Sequence, residues 1–437
     1  MPAPSTPSFG SRPPILLVIC HDLGQYLGCL GAPIETPNLD GLAQDGVLFT
    51  NYCCTAASCS PSRGSIMTGR YPHNNGLVGL AHIGWEIGAQ DVTLPMHLNA
   101  AGYSTHLFGH QHEHSEPARL GYRHIQLDGA DARSASATLI GFLESVEPGG
   151  QPFFVSTGIA EPHRPYEREG YDRDDPDKLQ PLPYLPDRPG IREDLAGLHG
   201  LIWRLDESIG KITAALERTG LAEDTLLIFT TDHGIAMPRA KGTCYDPGIQ
   251  TALIVRWPGR FEGGRRQDEL LTNCDLLPTL LDLAGARTPS CVEGRSFLPL
   301  LDGGDYQPRE DIFAEMTWHD KYNPMRCVRT NDHKYIRNFG DRPLVYIPAD
   351  IYVAPAGQEM KDEFYGSRRP PEELYDLRSD PLEMHNLIDD PAYAEVAERL
   401  RARVQDWMVE TDDPLLYGDY APTKLQRERG ERKELDN

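Results

Sequence analysis

The sequence has no long apolar run, no paired cysteine spacing, no internal repeat and a deficit of basic residues, and each shortage removes a class of function. No stretch approaches the ~18–20 consecutive apolar residues that span a bilayer, and the apolar run Ile15–Cys20 is too short for a signal-peptide core. The expected compartment is the cytoplasm, with no membrane partner. The nine cysteines are odd in number and scattered, without metal-finger spacing, so reduced thiols are expected, and adjacent Cys53 and Cys54 read as small buried residues. With 42 Lys and Arg against 65 Asp and Glu, the formal net charge of -23 repels nucleic acid and long polyanions. An anionic substrate must then be small, or held at one end by a local basic pocket. Hydrophobic residues at 39% and charged residues at 24% exclude a disordered chain, and 437 residues exceed what one core usually fills. A large domain and a smaller one are expected.

What is there reads as alternation. After a Pro- and Ser-rich arm over the first fourteen residues, Ile15–Cys20 is a continuously apolar run of the kind buried on both faces of a parallel sheet. Similar runs follow at Ser104–Phe108, Phe153–Ser156, Leu226–Thr230 and Leu253–Val255. Helical patterns lie between them, among them Leu94–Ala101 closed by Gly102 and Asp194–Arg218 closed by Gly220. Strand and helix alternating predict an α/β domain with a mainly parallel sheet flanked by helices over residues 1–305. Beyond Gly303-Gly304-Asp305 the pattern shortens, with Met325–Arg329 and Lys334–Arg337 as strands and a helix over Pro391–Val409. Residues 306–437 are expected to form a smaller C-terminal α+β domain ending in a solvated charged tail, Lys424–Asn437.

In open α/β sheets ligands bind beyond the carboxyl ends of the strands. Those positions here are rich in His and Asp: His21-Asp22, Gly109-His110-Gln111-His112, Glu161-Pro162-His163 and Asp232-His233-Gly234. One histidine after a strand is more often packed or solvated than a ligand, but four such coincidences point to a metal or catalytic site. The sharpest local signal is Cys59-Ser60-Pro61-Ser62-Arg63, where Pro61 suits the first turn of a helix. Cys59 would then lie at a helix N-terminus, whose partial positive charge lowers a thiol pKa. It is a candidate nucleophile, with a buried structural cysteine as the alternative.

The run Cys59-Ser60-Pro61-Ser62-Arg63, followed by Thr68-Gly69-Arg70, resembles the signature of the sulfatase family, whose cysteine a separate formylglycine-generating enzyme oxidises to formylglycine. Thr36-Pro37-Asn38-Leu39-Asp40, Thr231-Asp232-His233-Gly234, Lys241–Gly248 and Ala252–Gly259 resemble further segments of that family. Glu373–Leu377 with Asp380–Leu387 is similar to its C-terminal pattern, while Pro324–Arg329 and Val409–Pro414 look most like the N-sulfoglucosamine sulfohydrolases, or sulfamidases. The resemblance implies an alkaline-phosphatase-like fold and hydrolysis of a small anionic sulfated substrate, with an N-sulfated amine or amino sugar preferred. It also implies one divalent metal ion held by His21, Asp22, Asp232 and His233, and formylglycine derived from Cys59. Arg63 would hold the nucleophile or sulfate, Lys241 a sulfate oxygen, and His112 and His163 would serve the nucleophile and the departing atom. Hydrated formylglycine offers two hydroxyls on one carbon: one attacks sulfur, and the other later loses its proton so that the carbonyl re-forms and sulfate leaves.

Two positions depart from the family pattern. His21 stands where the family has a carboxylate, which weakens calcium, Ca2+, and favours manganese, Mn2+, or zinc. His110 stands where the family has a lysine, so a permanent cation is expected to become a titratable one. The competing readings are an O-sulfate ester hydrolase of arylsulfatase type, a phosphonate monoester or phosphodiester hydrolase, and a non-catalytic binding protein that keeps the pocket. A homodimer is compatible with each.

Overall fold

A computed structural model describes residues 12–147 and 149–428 of the chain. Strand β1 (Ile15–Cys20) is wholly buried and feeds two cores with alternate side chains. Leu16, Val18 and Cys20 meet the helices Ala132–Ser145 and Pro189–Thr219, whereas Ile15, Leu17 and Ile19 meet the helix Leu276–Leu283 on the other face. Helix α1 (Pro37–Asp45) follows, its first backbone N–H groups held by the Asp206 carboxylate at 3.2 and 2.8 Å. Then come β2 (Val47–Phe49), β3 (Tyr52–Cys53) and helix α2 (Cys59–Thr68). The remaining strands of this part are β4 (Ser104–Gly109), β5 (His124–Gln126), β6 (Phe153–Ile159), β7 (Leu226–Thr231), β8 (Leu253–Arg256), β9 (Arg265–Gln267) and β10 (Leu271–Thr272). Among the described residues eight of these strands make one sheet of order β5-β4-β6-β1-β7-β8-β2-β9, and β3 pairs with β10. The run β5-β4-β6-β1-β7 is parallel, and β8 is antiparallel to both its neighbours.

The five expected strands are all present, four of them longer than their expected runs because the backbone pairing continues beyond them. The long helix starts earlier than expected, at Pro189, where proline suits a first helical position. The second sheet is an antiparallel meander of β11 (Ile312–Trp318), β12 (Tyr322–Arg329), β13 (His333–Asn338) and β14 (Glu372–Asp376). Helix Ala394–Glu410 packs on it, with Trp407 stacked on Phe313 at a ring separation of 4.7 Å. The charged tail is only in part what the sequence suggests. Lys424–Glu428 is a short helix with Gln426 buried, because Thr423 caps it and donates to the Ile83 carbonyl at 2.5 Å. The rest of the tail, and most of the N-terminal arm, lies outside the described residues. All nine cysteines are free, and no described helix is long and apolar enough to cross a membrane.

Candidate active site

The four expected rim segments leave adjacent parallel strands, β4-β6-β1-β7, at their carboxyl ends. The register aligns Cys20 with Ile159 on one side and Thr231 on the other, so His21-Asp22 emerges beside Asp232-His233. Asp22 turns the chain sharply with φ at 49°, a left-handed conformation that residues other than glycine adopt uncommonly. Gly158 is required by the same crowding: a Cβ there would collide with the His110 carbonyl as the chain crosses β6.

Asp232 is the anchor. Its Oδ1 accepts the backbone N–H groups of Asp22 and His233, each at 2.9 Å, and its Oδ2 accepts Arg63 Nε at 2.9 Å and faces His21 Nδ1 at 3.0 Å. His233 donates from Nδ1 to the Gly234 carbonyl at 2.9 Å, which turns Nε2 toward Asp22 Oδ1 at 3.1 Å. One ligand atom from each of Asp22, Cys59, Asp232 and His233 falls within 4.8 Å of the others. Electrostatics fit a cation at this place. Burial works against charge on both histidines, yet the carboxylates outweigh it, holding His21 up at about 10 and His233 well above its ordinary value. The carboxyls of Asp22 and Asp232 are held well below theirs, against burial, chiefly by Lys241 and by His21 respectively. Two buried carboxylates that recruit every neighbouring positive charge suit a divalent ion.

Cys59 opens α2, at the positive end of the helix, and Arg63 stands one turn later on the same face. Cys59 Sγ lies 3.2 Å from His233 Nε2 and 3.8 Å from Asp22 Oδ1. Burial alone would raise this thiol, but Lys241, His233 and hydrogen bonds to His112 and His21 hold it well below its usual value. Lys241 is buried and donates to Asp22 Oδ2 at 2.9 Å and Asp350 Oδ2 at 2.8 Å, with His163 Nε2 at 3.5 Å. His163 donates Nδ1 to the Arg164 carbonyl at 2.6 Å, and its side chain keeps 33% of its surface exposed. His110 reaches the rim, but burial first, and then the positive charge of His21 and Arg63, press its pKa far down.

Four more side chains complete the site and were not read from the sequence. His319, in the turn between β11 and β12, reaches the Cys59 thiol and pairs with Asp320 at 2.7 Å. Asp350, from the helix Ala349–Tyr352, holds Lys241, and its Oδ1 is buried without a hydrogen-bond partner among the described residues. His82 Nδ1 lies 2.8 Å from His112 Nε2, and the Glu113 carboxylate accepts the His112 backbone N–H at 2.6 Å. Only Glu113, next to His112, follows a strand of the main sheet; His319, Asp350 and His82 do not, so the rule that found the others gives no signal for these three. Beside Asp350 and His163 opens a cavity of about 430 Å3 lined by Arg164, Tyr166, Glu167, Glu193 and Asp350, among others.

A carboxylate and histidine rim on a mainly parallel sheet, with a cysteine at a helix N-terminus pointing into it, defines a hydrolase of the alkaline-phosphatase-like class. The sulfatase family profile matches residues 13–286, and that of the N-sulphoglucosamine sulphohydrolase C-terminal region matches residues 239–347. The chain belongs to the sulfatase family, whose members generally use a divalent metal and formylglycine. Human N-sulphoglucosamine sulphohydrolase is 30% identical over 467 aligned residues, covering 91% of this chain and 90% of the relative. Among solved structures, a protein in complex with its substrate D-glucosamine-2-N,6-O-disulfate superposes with a TM-score of 0.71 at 21% identity, over 92% of this chain and 98% of that one. The phosphonate monoester hydrolase of Agrobacterium radiobacter gives a TM-score of 0.71 at 21% identity, over 92% and 96%. At that identity the two structures speak for the fold alone.

Proposed function

We propose that this sulfatase-family hydrolase removes sulfate from an N-sulfated amine or amino sugar. The observation that carries the preference is Asp350. A sulfamate nitrogen bears a hydrogen that the bridging oxygen of a sulfate ester lacks, and Asp350 Oδ1 is a buried acceptor without a partner beside Lys241 and His163. The adjoining cavity, with the carboxylates of Glu167 and Glu193 and the ring of Tyr166, suits the hydroxyls and apolar face of a sugar. The likeness to the N-sulphoglucosamine sulphohydrolase C-terminal region and to the human enzyme supports the same reading.

Formylglycine at position 59 supplies an oxygen nucleophile and a carbonyl to return to, and a divalent cation held by Asp22, Asp232 and His233, with His21 alongside, supplies positive charge for a sulfate oxygen. The chain's own groups do the rest. Asp232 and Arg63 fix the start of α2 against the rim, so the nucleophile is held in place. His112 lies beside position 59, where it favours the deprotonated nucleophile. His163, with Nδ1 committed to a carbonyl, presents Nε2 toward Lys241 and Asp350, so in its protonated form it can pass that proton to the departing nitrogen. The Lys241 ammonium, held by Asp22 and Asp350, also faces where sulfate must lie.

The test compares turnover of N-sulfoglucosamine, an aryl sulfate and an aryl phosphodiester by one preparation. Sulfamate should be the preferred substrate, and Asp350→Asn should lower its kcat/KM by more than that of the aryl sulfate. A faster aryl sulfate favours the O-sulfatase reading. A faster phosphodiester favours the phosphonate or phosphodiester hydrolase reading, for which His233 in the metal set speaks.

A further inference from the structure

The two places where the chain departs from the sulfatase pattern, His21 and His110, are far apart in sequence and are brought together with His112. The ring centroids of His21 and His110 are 4.4 Å apart, those of His110 and His112 5.7 Å, and those of His21 and His112 5.9 Å. One ring nitrogen from each of the three lies within 4.8 Å of the others. Apart from the Cys59 thiol, which His21 and His112 approach, His21 Nε2, His110 Nε2 and His112 Nδ1 are buried without a hydrogen-bond partner among the described residues. A buried polar atom without a partner is unfavourable. Three in one place are better explained by a shared ligand than by three separate omissions.

We infer that His21, His110 and His112 form a second cation site, for a borderline-soft divalent transition ion of the zinc type, beside the carboxylate centre. The donors suit such an ion: three imidazoles and no carboxylate favour zinc or cobalt over calcium, which takes oxygen ligands. Zinc–nitrogen bonds of about 2.0–2.1 Å put tetrahedral donors roughly 3.3 Å apart, so small side-chain rotations close the cluster. The surrounding groups already orient the ligands. His82 holds the far nitrogen of His112 at 2.8 Å, Glu113 anchors the His112 backbone, and His21 keeps Nδ1 toward Asp232. The exchange is also balanced in charge. The lysine that the family has at position 110 gives way to a ligand, and the ion bound there returns positive charge to the side of the nucleophile.

The inference rests on the reading of the carboxylate centre only through His21, which faces both, and the experiment separates the two. The metal-depleted full-length chain is titrated with Co2+, with stoichiometry and the visible spectrum as readouts, and Cys59→Ser serves as the control that no thiolate is counted. Wild type and the control should each take up two equivalents, and His110→Gln and His112→Gln one each. Asp232→Asn should keep the equivalent whose spectrum the histidine variants lose. A single equivalent in wild type that survives in both histidine variants, or two equivalents in all of them, overturns the three-histidine site. Should a variant not fold, the second equivalent in wild type must bring out paramagnetically shifted histidine ring protons beyond those of His233, and their absence overturns the site. Asp232→Asn binding as wild type does would instead overturn the carboxylate centre and leave the histidine site standing.

Discussion

Cys59 separates chemistry from packing. Its side chain is small, buried at the start of α2, and surrounded by groups that Asp232, Gly234 and Asp350 hold independently. Cys59→Ala should therefore keep the melting temperature of wild type while turnover falls by at least about a thousandfold, the scale of losing a covalent nucleophile. Activity within tenfold of wild type would sink the nucleophile assignment. The two metal-centre aspartates should behave differently from each other. Asp22→Ala and Asp232→Ala should both lose bound metal by elemental analysis, but Asp22→Ala leaves Lys241 paired with Asp350. Asp232→Ala leaves the fully buried Arg63 with only the Glu113 carboxylate at 3.9 Å in place of a direct hydrogen-bonded pair, a loss of about 3–5 kcal/mol by the usual scale for breaking a buried pair. Equal stability of the two variants in urea unfolding would contradict that ranking. At this scale the sequence showed every rim residue that directly follows a buried strand, because one backbone rule governs them all. It was silent on His319 and Asp350, whose place at the site depends on how the second sheet docks and not on local pattern.

Elements were legible in proportion to their length. β1, β4, β6 and β7 carry six or seven residues buried on both faces, enough for an apolar run to declare itself. β3, β5, β9 and β10 have two or three residues, and β9 is Arg265-Arg266-Gln267, whose strand character comes only from pairing with β2. β12 shows how the second sheet is fastened. Arg326 in the middle of it is wholly buried and pairs with Asp413, just beyond the helix Ala394–Glu410, at 2.5 and 3.1 Å. Asp413→Ala should lower stability by about 3–5 kcal/mol, since it leaves the buried guanidinium with only the Glu315 carboxylate, 3.9 Å away and without a hydrogen bond to it. Adding Arg326→Met should restore much of that, as removing both charges removes the desolvation penalty. If the double variant is no more stable than the single one in urea unfolding, the pair is not what fastens the helix.

Across the whole molecule the two parts share one site, since His319 and Asp350 from beyond residue 305 meet Cys59 and Lys241. Buried ion pairs within the second part set a pH window for stability. Burial works against charge on Asp320, but His319 overcomes it and holds that carboxyl down at about 2, and Arg326 likewise keeps Asp413 below its ordinary value. Carboxyls with depressed folded pKa values stabilise above their unfolded value of ~3.9 and lose that contribution as pH falls through the folded value. On the other side His319, held up at about 9 by Asp320 despite burial, contributes fully below ~6.5 and loses its contribution as pH rises through about 9. Glu383, which burial pushes up to about 7 against the pull of Lys334, also favours the folded state less as pH rises from ~4.3 to 7. The contribution of the His319–Asp320 and Arg326–Asp413 pairs should therefore be greatest between about pH 4.5 and 6.5. It is read as the difference in urea unfolding between wild type and the pair variants in excess chelator, since buried His106 and His199, with lowered values, act in the opposite sense. The net charge of -23 at pH 7 adds surface repulsion on the neutral side, and salt separates the causes. High salt should flatten the part of the neutral fall that repulsion causes and leave the acid fall, which comes from buried pairs, nearly unchanged. His319→Gln should remove part of the alkaline fall. A contribution of the pairs that climbs steadily from pH 6 to 9 in the metal-depleted protein would show that they do not set this window.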